Sequence, residues 1–122
     1  FIDRGATAIG LIIKNVNLTG FSDASTVIQK DLSRSLVVED CYIPAGGFSL
    51  VFLDPPYQKN FIVNLLNILG SCDFVADNCT VVVESNASDQ LPKEAGGLKL
   101  YDQRQYGKTG FWLYLLQNKG LI

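Results

Sequence analysis

The sequence of 122 residues contains no histidine, which removes several kinds of catalytic site from consideration. Ser/His and Cys/His nucleophilic pairs and histidine-ligated metal centres all need an imidazole, so most hydrolases and zinc enzymes are disfavoured. The three cysteines, Cys41, Cys72 and Cys79, have no CxxC spacing, so neither a disulfide framework nor a zinc site is expected. Free thiols favour a reducing compartment, and we predict a cytoplasmic protein that needs no metal.

Long apolar segments and a strong net charge are also missing. The longest apolar run, residues 48–53, is broken only by Ser49, whereas a membrane-spanning helix needs about 20 residues, so no membrane segment is expected. The net charge of −2 and the pI near 4.9 argue against nucleic-acid binding over the whole surface but allow a local basic patch. With 48% hydrophobic and 18% charged residues, the chain is expected to form one domain over residues 1–122.

The spacing of apolar residues predicts alternating strands and helices. The chain lacks methionine and opens with Phe1-Ile2-Asp3, which is typical of the end of a strand, so we expect the natural protein to begin upstream. Helical spacing over residues 6–16 and 61–69 predicts helices ending near Gly20 and Gly70, and a short helix is predicted over 32–40. Strands are predicted at 25–31, 48–53, 80–84, 98–106 and 109–116, with a hairpin turn at Gly107-Lys108 and a loop at 85–97.

This order, β-α-β-(α)-β-α-β followed by an antiparallel pair, is typical of an α/β fold with a doubly wound sheet. The run at 48–53 is apolar on both faces, which predicts a strand inside a parallel sheet. Three of the predicted strands end at an aspartate: Asp3, Asp31 and Asp54. Because ligands of such sheets bind beyond the carboxyl ends of the strands, we expect these carboxylates to converge on one edge.

The motif Asp54-Pro55-Pro56-Tyr57, directly after the apolar strand, is the most informative one in the chain. The exocyclic amine of a nucleic-acid base is a poor nucleophile because its lone pair is delocalised, so its reaction needs hydrogen-bond acceptors and tight alignment. The carboxylate of Asp54 and the carbonyl of Pro55 can accept its two N–H groups. Tyr57 can stack on an extruded base, which contributes about 1–3 kcal/mol. The simpler alternative is a turn that ends a strand.

These features resemble the RsmD-like family of ribosomal RNA guanine-N2 methyltransferases, within the class I methyltransferase superfamily, over nearly the whole chain. Phe1-Ile2-Asp3-Arg4 resembles the second motif of the family, Lys30-Asp31-Leu32 the third, and Phe52-Leu53-Asp54-Pro55-Pro56-Tyr57 the fourth. Gln105-Tyr106-Gly107-Lys108-Thr109 resembles the hairpin before its last strand. The resemblance implies a Rossmann-like sheet, mostly parallel with a C-terminal antiparallel hairpin, whose first strand is missing here.

The resemblance also implies a function and a set of site residues. The function is methyl transfer from S-adenosylmethionine to the N2 amine of a guanine in small-subunit ribosomal RNA, either free or in the small ribosomal subunit. Asp3, with Arg4 beside it, would bind the ribose hydroxyls of the cofactor, and Asp31 with Leu32 would lie near its adenine. Capping of a following helix is an equally good alternative for Asp31. The catalytic turn would consist of Asp54, Pro55, Pro56 and Tyr57.

The sequence departs from the family pattern at the glycine-rich loop. A class I enzyme carries this loop after its first strand, about 20 residues before the acid that corresponds to Asp3. Gly5 and Gly10 lie in a helical stretch, and the glycine pairs at 46–47 and 96–97 precede strands, so none of them can take that role. We expect the chain that begins at Phe1 to lack half of the cofactor site and to be poorly active or inactive on its own.

Arg104 and Lys108 are the candidate RNA-binding residues, because they lie among aromatic residues that can stack on bases. These aromatics are Tyr101, Tyr106, Phe111, Trp112 and Tyr114. The alternative is that the aromatics form the strand core and the cations are solvated. We favour that alternative except for Lys108, which lies at the predicted turn.

Two other functions stay open. An adenine-N6 or cytosine-N4 DNA methyltransferase would use the same kind of Asp-Pro-Pro-aromatic turn, although 122 residues leave little room for a separate target-recognition region. A non-catalytic module that binds RNA or a protein partner would explain the missing glycine-rich loop.

Overall fold

The computed structural model describes residues 1–34, 36, 39, 42–55 and 59–117, with the side chain of Lys59 left aside. The chain divides into two compact units, residues 1–42 and 43–122. Each unit has its own β-sheet. No helix among the described residues is long and apolar enough to cross a membrane.

The first unit is a parallel βαβ arrangement, as predicted. Strand β1 (Ile2–Asp3) leads into helix α1 (Ala6–Leu18), and a 3₁₀ turn (Ser22–Ala24) leads to β2 (Ile28–Gln29), which pairs with β1 in parallel. The pairing extends to Lys30, whose backbone N–H donates to the carbonyl of Asp3 at 2.9 Å. Strand β2 is shorter than the predicted strand 25–31 because β1 offers it only two paired residues.

Helix α1 ends close to the position that the sequence predicts. Its C-cap, Thr19, donates both its backbone N–H and its hydroxyl to the carbonyl of Asn15. Gly20 follows with a φ of +78°, a conformation that favours glycine. The apolar stripe of α1 is only partly covered: no residue of the helix is buried, and Leu11 and Leu18 are 57% and 75% exposed.

The second unit contains a five-stranded sheet and one α-helix among its described residues. The strands are β3 (Phe48–Leu53), β4 (Val75–Asn86), β5 (Glu94–Ala95), β6 (Leu98–Tyr106) and β7 (Thr109–Leu116), and helix α2 (Lys59–Ser71) connects β3 to β4. Their spatial order is β3-β4-β7-β6-β5. Strands β3 and β4 are parallel, whereas β7 is antiparallel to both β4 and β6. This mixed α/β arrangement with a C-terminal hairpin confirms the predicted fold class.

One face of this sheet forms the core of the second unit. Side chains alternate along β4 and β7, so every second one lies on the face covered by α2. The hydroxyl of Tyr114 donates to the carbonyl of Pro92 at 2.7 Å, and burial raises the pKa of Tyr114 to about 12. The buried apolar side chains of α2, β4 and β7 include Ile62, Leu65, Leu66, Leu69, Val81, Val83, Trp112, Tyr114 and Leu116.

Strand β3 is more exposed than its sequence predicts. Among the described residues it pairs only with β4, so it is an edge strand of the sheet. Leu50 and Phe52 are 65% and 56% exposed. The strand register explains this exposure. Leu50 and Phe52 pair with Thr80 and Val82, whose side chains lie on the face of the sheet opposite α2. The prediction of a strand buried on both faces is therefore wrong for the described structure.

Helix α2 ends at Ser71, one residue past the glycine at which the sequence predicts its end. A Cβ on Gly70 would lie only 1.8 Å from the carbonyl oxygen of Gly96. Gly96 follows β5 with a φ of +58°, and a Cβ there would lie 2.8 Å from the Cα of Asn67. The two glycines thus let the backbone of α2 lie directly against the turn after β5. The predicted loop at 85–97 accordingly contains β5, and its first two residues extend β4.

Gly70→Ala is expected to lower the free energy of unfolding by about 1–3 kcal/mol, because the added methyl group would overlap backbone atoms that cannot rotate away. The loss would appear although alanine normally favours a helix over glycine by about 1 kcal/mol. Gly10→Ala in α1 is the matched control, since a Cβ there meets no atom within 4 Å. That variant should be stabilised by about 0.5–1 kcal/mol. Urea denaturation followed by circular dichroism measures both, and an unchanged Gly70→Ala variant would contradict the tight contact.

Candidate active site

The turn after β3 carries the most specific motif of the sequence. Leu53, the last residue of β3, pairs with Val83 of β4, and Asp54 and Pro55 follow at the carboxyl end of these parallel strands. The side chain of Asp54 is exposed, and its carboxylate makes no hydrogen bond or ion pair with any described residue. Among the described residues, nothing competes with a ligand for its oxygens. Pro56 and Tyr57 lie outside the described residues, and their roles stay predictions.

The loop after β4 and the β6–β7 turn lie at the same edge of the sheet as Asp54. Asn86, the last residue of β4, pairs with Thr109, the first residue of β7. The turn before Thr109 therefore lies beside the loop after Asn86, and the backbone N–H of Ala87 donates to the carbonyl of Lys108 at 2.8 Å. Since β3 and β4 are parallel, their carboxyl ends and this turn share one edge.

A groove of about 360 Å³ lies between the loop after β4 and the β6–β7 turn. It is lined by Asn86, Ala87, Ser88, Gln105, Gly107 and Lys108. The sequence points to Lys108, but it gives no direct indication of the amide and hydroxyl side chains that join it here. The sequence offers only a weak indication of this groove: Asn86 and Ser88 come soon after the β-branched run of β4, and Gln105 comes shortly before the hairpin turn. Only the strand pairing brings them together.

The two predicted RNA-binding cations differ in their surroundings. The Nε of Arg104 donates to Oδ2 of Asp102 at 3.0 Å. Hydrogen bonding to Asp102, and then to Tyr106, raises the pKa of Arg104. Lys108, by contrast, forms no ion pair with a described residue and lines the groove. Lys108 is therefore better placed than Arg104 to meet a phosphate group.

The aromatic residues around this hairpin are divided between core and surface. Trp112 and Tyr114 are buried, as the core interpretation predicts, whereas Tyr101 and Tyr106 are 55% and 62% exposed. Tyr106 contacts Phe111 edge-on, with ring centroids 5.9 Å apart, on the face opposite α2. Tyr101 lies at an irregularity in the pairing of β6 with β7. The core interpretation is therefore wrong for these two tyrosines.

In the first unit, Asp3 lies at the carboxyl end of β1 and begins the turn into α1. Its Oδ1 accepts the backbone N–H of Gly5 at 2.8 Å, and its Oδ2 has no partner among the described residues. The carbonyl of Arg4 accepts a hydrogen bond from Nε2 of Gln29 at 3.1 Å, which connects this turn to β2. A carboxylate with one oxygen held by backbone and the other available fits the predicted contact with ribose hydroxyls.

Asp31 lies after β2 and is engaged by its own turn. Its Oδ1 accepts the backbone N–H of Ser33 at 3.0 Å and the Ser33 hydroxyl at 2.6 Å, and these hydrogen bonds lower the pKa of Asp31. Residues 32–34 form a turn, not the predicted helix over 32–40. The hydrogen bonds from Ser33 to the Asp31 side chain stabilise this turn. Residues 35, 37, 38 and 40 of that predicted helix lie outside the described residues. The contact of Asp31 and Leu32 with an adenine stays a prediction.

Two of the three predicted carboxylates share an edge. Asp3 and Asp31 follow strands β1 and β2, which are parallel, so both lie at the carboxyl edge of this pair. Hydrogen-bond acceptors beside polar turns suit a nucleoside, which offers ribose hydroxyls and an amino group as donors. Asp54 belongs to the second unit, and its convergence with the other two carboxylates stays a prediction.

Comparisons with known proteins identify relatives of this chain. The family model described as "Conserved hypothetical protein 95" matches residues 1–115. The chain is 27% identical over 114 residues to YlbH of Bacillus subtilis, by name a candidate rRNA methyltransferase. It is 26% identical over 136 aligned residues to Ribosomal RNA small subunit methyltransferase D of Escherichia coli K12. These alignments cover 93% and 95% of this chain, which spans 61% and 67% of the length of the two relatives.

Solved structures share the fold. A conserved hypothetical protein from Streptococcus pyogenes is similar with a TM-score of 0.81 and 28% identity, over 95% of this chain and 69% of that protein. A candidate methylase from Haemophilus influenzae is similar with a TM-score of 0.74 and 22% identity, over 97% of this chain and 71% of that protein. The family model confirms the expected family resemblance, and the two solved structures confirm the α/β fold.

Proposed function

Because the chain belongs to the Conserved hypothetical protein 95 family, we propose that residues 1–122 form an S-adenosylmethionine-dependent methyltransferase domain that modifies small-subunit ribosomal RNA in the cytoplasm. The acceptor is the exocyclic N2 amine of a guanine. The observation that carries the proposal is the exposed carboxylate of Asp54, which follows a parallel strand at its carboxyl end and has no partner among the described residues. The names of the two relatives support ribosomal RNA as the substrate.

The chemistry assigned to the turn after β3 is alignment of a weak nucleophile. The Asp54 carboxylate accepts one N–H of the guanine amine, which orients the nitrogen lone pair and provides a nearby base for the proton that the amine releases. The carbonyl of Pro55 accepts the second N–H, and Tyr57 stacks on the extruded base. S-adenosylmethionine, when bound, supplies the electrophilic methyl group.

The cofactor would be held by the residues at the carboxyl edge of the first unit. Asp3 binds the ribose hydroxyls through its available Oδ2, while Gly5 keeps its other oxygen in place. Arg4 lies beside it, and Asp31 and Leu32 meet the adenine. Arg104 and Lys108 complete the proposal as RNA-binding residues, and of the two only Lys108 forms no ion pair with a described residue.

Asp3→Ala is expected to weaken S-adenosylmethionine binding about 10- to 100-fold, because charge-assisted hydrogen bonds to the ribose are lost. Isothermal titration calorimetry on the 122-residue chain measures the affinity directly. Asp3→Asn is the informative second variant, since it keeps an oxygen that can accept the Gly5 N–H but removes the charge. Asp23→Ala, in the 3₁₀ turn of the same unit, is the control and should bind as the parent does.

The possible results separate the candidate functions. Saturable binding that Asp3→Ala loses supports the methyltransferase, and methylation of small-subunit RNA is then assayed. A parent chain that does not bind S-adenosylmethionine would fit both a non-catalytic module and an enzyme domain that lacks half of its cofactor site, so this result alone would not separate the two. Transfer to adenine-N6 or cytosine-N4 in DNA, with none to RNA, would favour the DNA methyltransferase and contradict the proposed acceptor.

A further inference from the structure

The groove between the loop after β4 and the β6–β7 turn is lined by several polar side chains and one cation. Among its described lining residues, Asn86 and Gln105 contribute amides, Ser88 a hydroxyl and Lys108 a cation, with no acidic side chain. The acid that follows in sequence, Asp89, accepts a hydrogen bond from the hydroxyl of buried Ser85 and does not line the groove. Such a combination suits a ligand that carries both a negative charge and hydroxyl groups.

Hydrogen bonds of the backbone hold the two walls of the groove, the loop after β4 and the β6–β7 turn, against each other. The N–H of Ala87 donates to the carbonyl of Lys108 at 2.8 Å, which fixes the loop to the hairpin turn. Nε2 of Gln105 donates to the carbonyl of Gly107 at 3.0 Å and still has a second N–H to offer. The loop itself is closed by a hydrogen bond from Asp89 N–H to the carbonyl of Asn86 at 2.9 Å. The backbone of both walls and the amide of Gln105 are therefore positioned before a ligand arrives.

The strand register sets the distance from this groove to the catalytic turn. Leu53 pairs with Val83, so Asp54 lies about level with Glu84, two residues before Asn86. Two residues along a strand are roughly 7 Å and one strand spacing is roughly 5 Å, which places Asn86 about 8 Å from Asp54. A short single-stranded segment can therefore reach both places at once.

We propose that this groove binds the ribose-phosphate backbone of a nucleotide next to the target guanine, with Lys108 on the phosphate and the amide and hydroxyl side chains on the 2′-hydroxyl. The assignment rests on the proposed function and adds a backbone subsite to it. Phosphate contacts position a nucleic acid without reading its sequence, and the 2′-hydroxyl distinguishes RNA from DNA. Arg104 takes no part in this subsite, because it does not line the groove and Asp102 already pairs with it.

The test is the binding of a 5′-fluorescein single-stranded RNA dodecamer with one central guanine, followed by fluorescence anisotropy at several salt concentrations. Lys108→Ala is expected to weaken binding about 10-fold at low salt, as for one charge-assisted contact. It should also lower the slope of log affinity against log salt by about one. Lys99→Ala is the matched control: it removes an exposed lysine from the other end of β6 and should leave both quantities unchanged. Ser88→Ala should weaken binding to the RNA more than binding to the same DNA sequence.

The outcomes distinguish this subsite from the proposed function itself. RNA binding that is equal in the parent, Lys108→Ala and Lys99→Ala would overturn the subsite, while cofactor binding and methyl transfer would remain to support the enzyme. Equal losses in both lysine variants would mean a general charge effect and would also overturn it. A parent chain that does not bind RNA would overturn the subsite and the RNA substrate together. Circular dichroism of each variant confirms that the fold is retained.

Discussion

Asp54→Ala is expected to lower the single-turnover rate of methyl transfer to small-subunit ribosomal RNA about 100-fold or more. The carboxylate is assigned two tasks, orienting the amine and receiving its proton, and alanine can do neither. Stability should be unaffected, because the Asp54 side chain is exposed and has no partner among the described residues. Incorporation of a tritiated methyl group, with the protein in excess over RNA, measures the rate even where the parent is slow.

Two further variants separate the roles of charge and position. Asp54→Asn keeps one oxygen that can accept an N–H, so a loss of roughly 10-fold is expected, intermediate between the parent and Asp54→Ala. Asp73→Ala is the control, since Asp73 is an exposed acid just before β4 and therefore at the opposite edge of the sheet. Equal rates for Asp54→Ala and Asp73→Ala would contradict the assigned role. Digestion of the product to nucleosides should give N2-methylguanosine.

The parts of the fold that the sequence predicts well are those specified by local interactions. The spacing of apolar residues identifies α1 and α2, and the Gly107-Lys108 turn with its flanking strands has the predicted bounds. Thr19 and Gly20 end α1 by hydrogen bonding and a positive φ, both of which are encoded within a few residues. Each of these features is indicated by residues that lie close together in the sequence.

The features that the sequence does not predict depend on distant contacts. An almost wholly apolar strand indicates burial, yet the exposure of Phe52 depends on which strands pair with β3 and on where α2 packs. Gly70 is typical of a helix end, but here its missing side chain makes room for Gly96, which is 26 positions away in the sequence. Composition and periodicity contain no information on such a pair.

The candidate site is likewise predicted from the sequence where its residues are contiguous, and not where they are distant in the sequence. Asp54-Pro55 is recognisable because the motif is contiguous and follows a strand. The groove is not recognisable, because Asn86 and Gln105 become neighbours only through the pairing of β4, β7 and β6. The sequence favours Lys108 over Arg104 only through the predicted turn, since the pairing of Arg104 with Asp102 is a matter of side-chain geometry on one strand.

Trp112→Ala is expected to lower the free energy of unfolding of the second unit by about 3–5 kcal/mol. The indole is 1% exposed and lies on the face of β7 that α2 covers, between the buried residues Gly110 and Tyr114. Its removal leaves a cavity that the surrounding strands cannot close, because their backbones are held by the sheet. Thermal and urea denaturation followed by circular dichroism measure the loss. Tyr101→Ala, which removes an exposed aromatic from the adjacent strand, should change stability by less than about 0.5 kcal/mol.

Gly110 provides an independent test of the same packing. A Cβ on Gly110 would lie 2.6 Å and 2.7 Å from two carbons of the Trp112 ring. Gly110→Ala is therefore expected to cost about 1–3 kcal/mol in the parent. In a chain that already carries Trp112→Ala, the ring is gone and the cost should be much smaller, so the two effects are not additive. Additive losses, or a loss below about 1 kcal/mol for Trp112→Ala, would contradict an indole that fills the core beside Gly110.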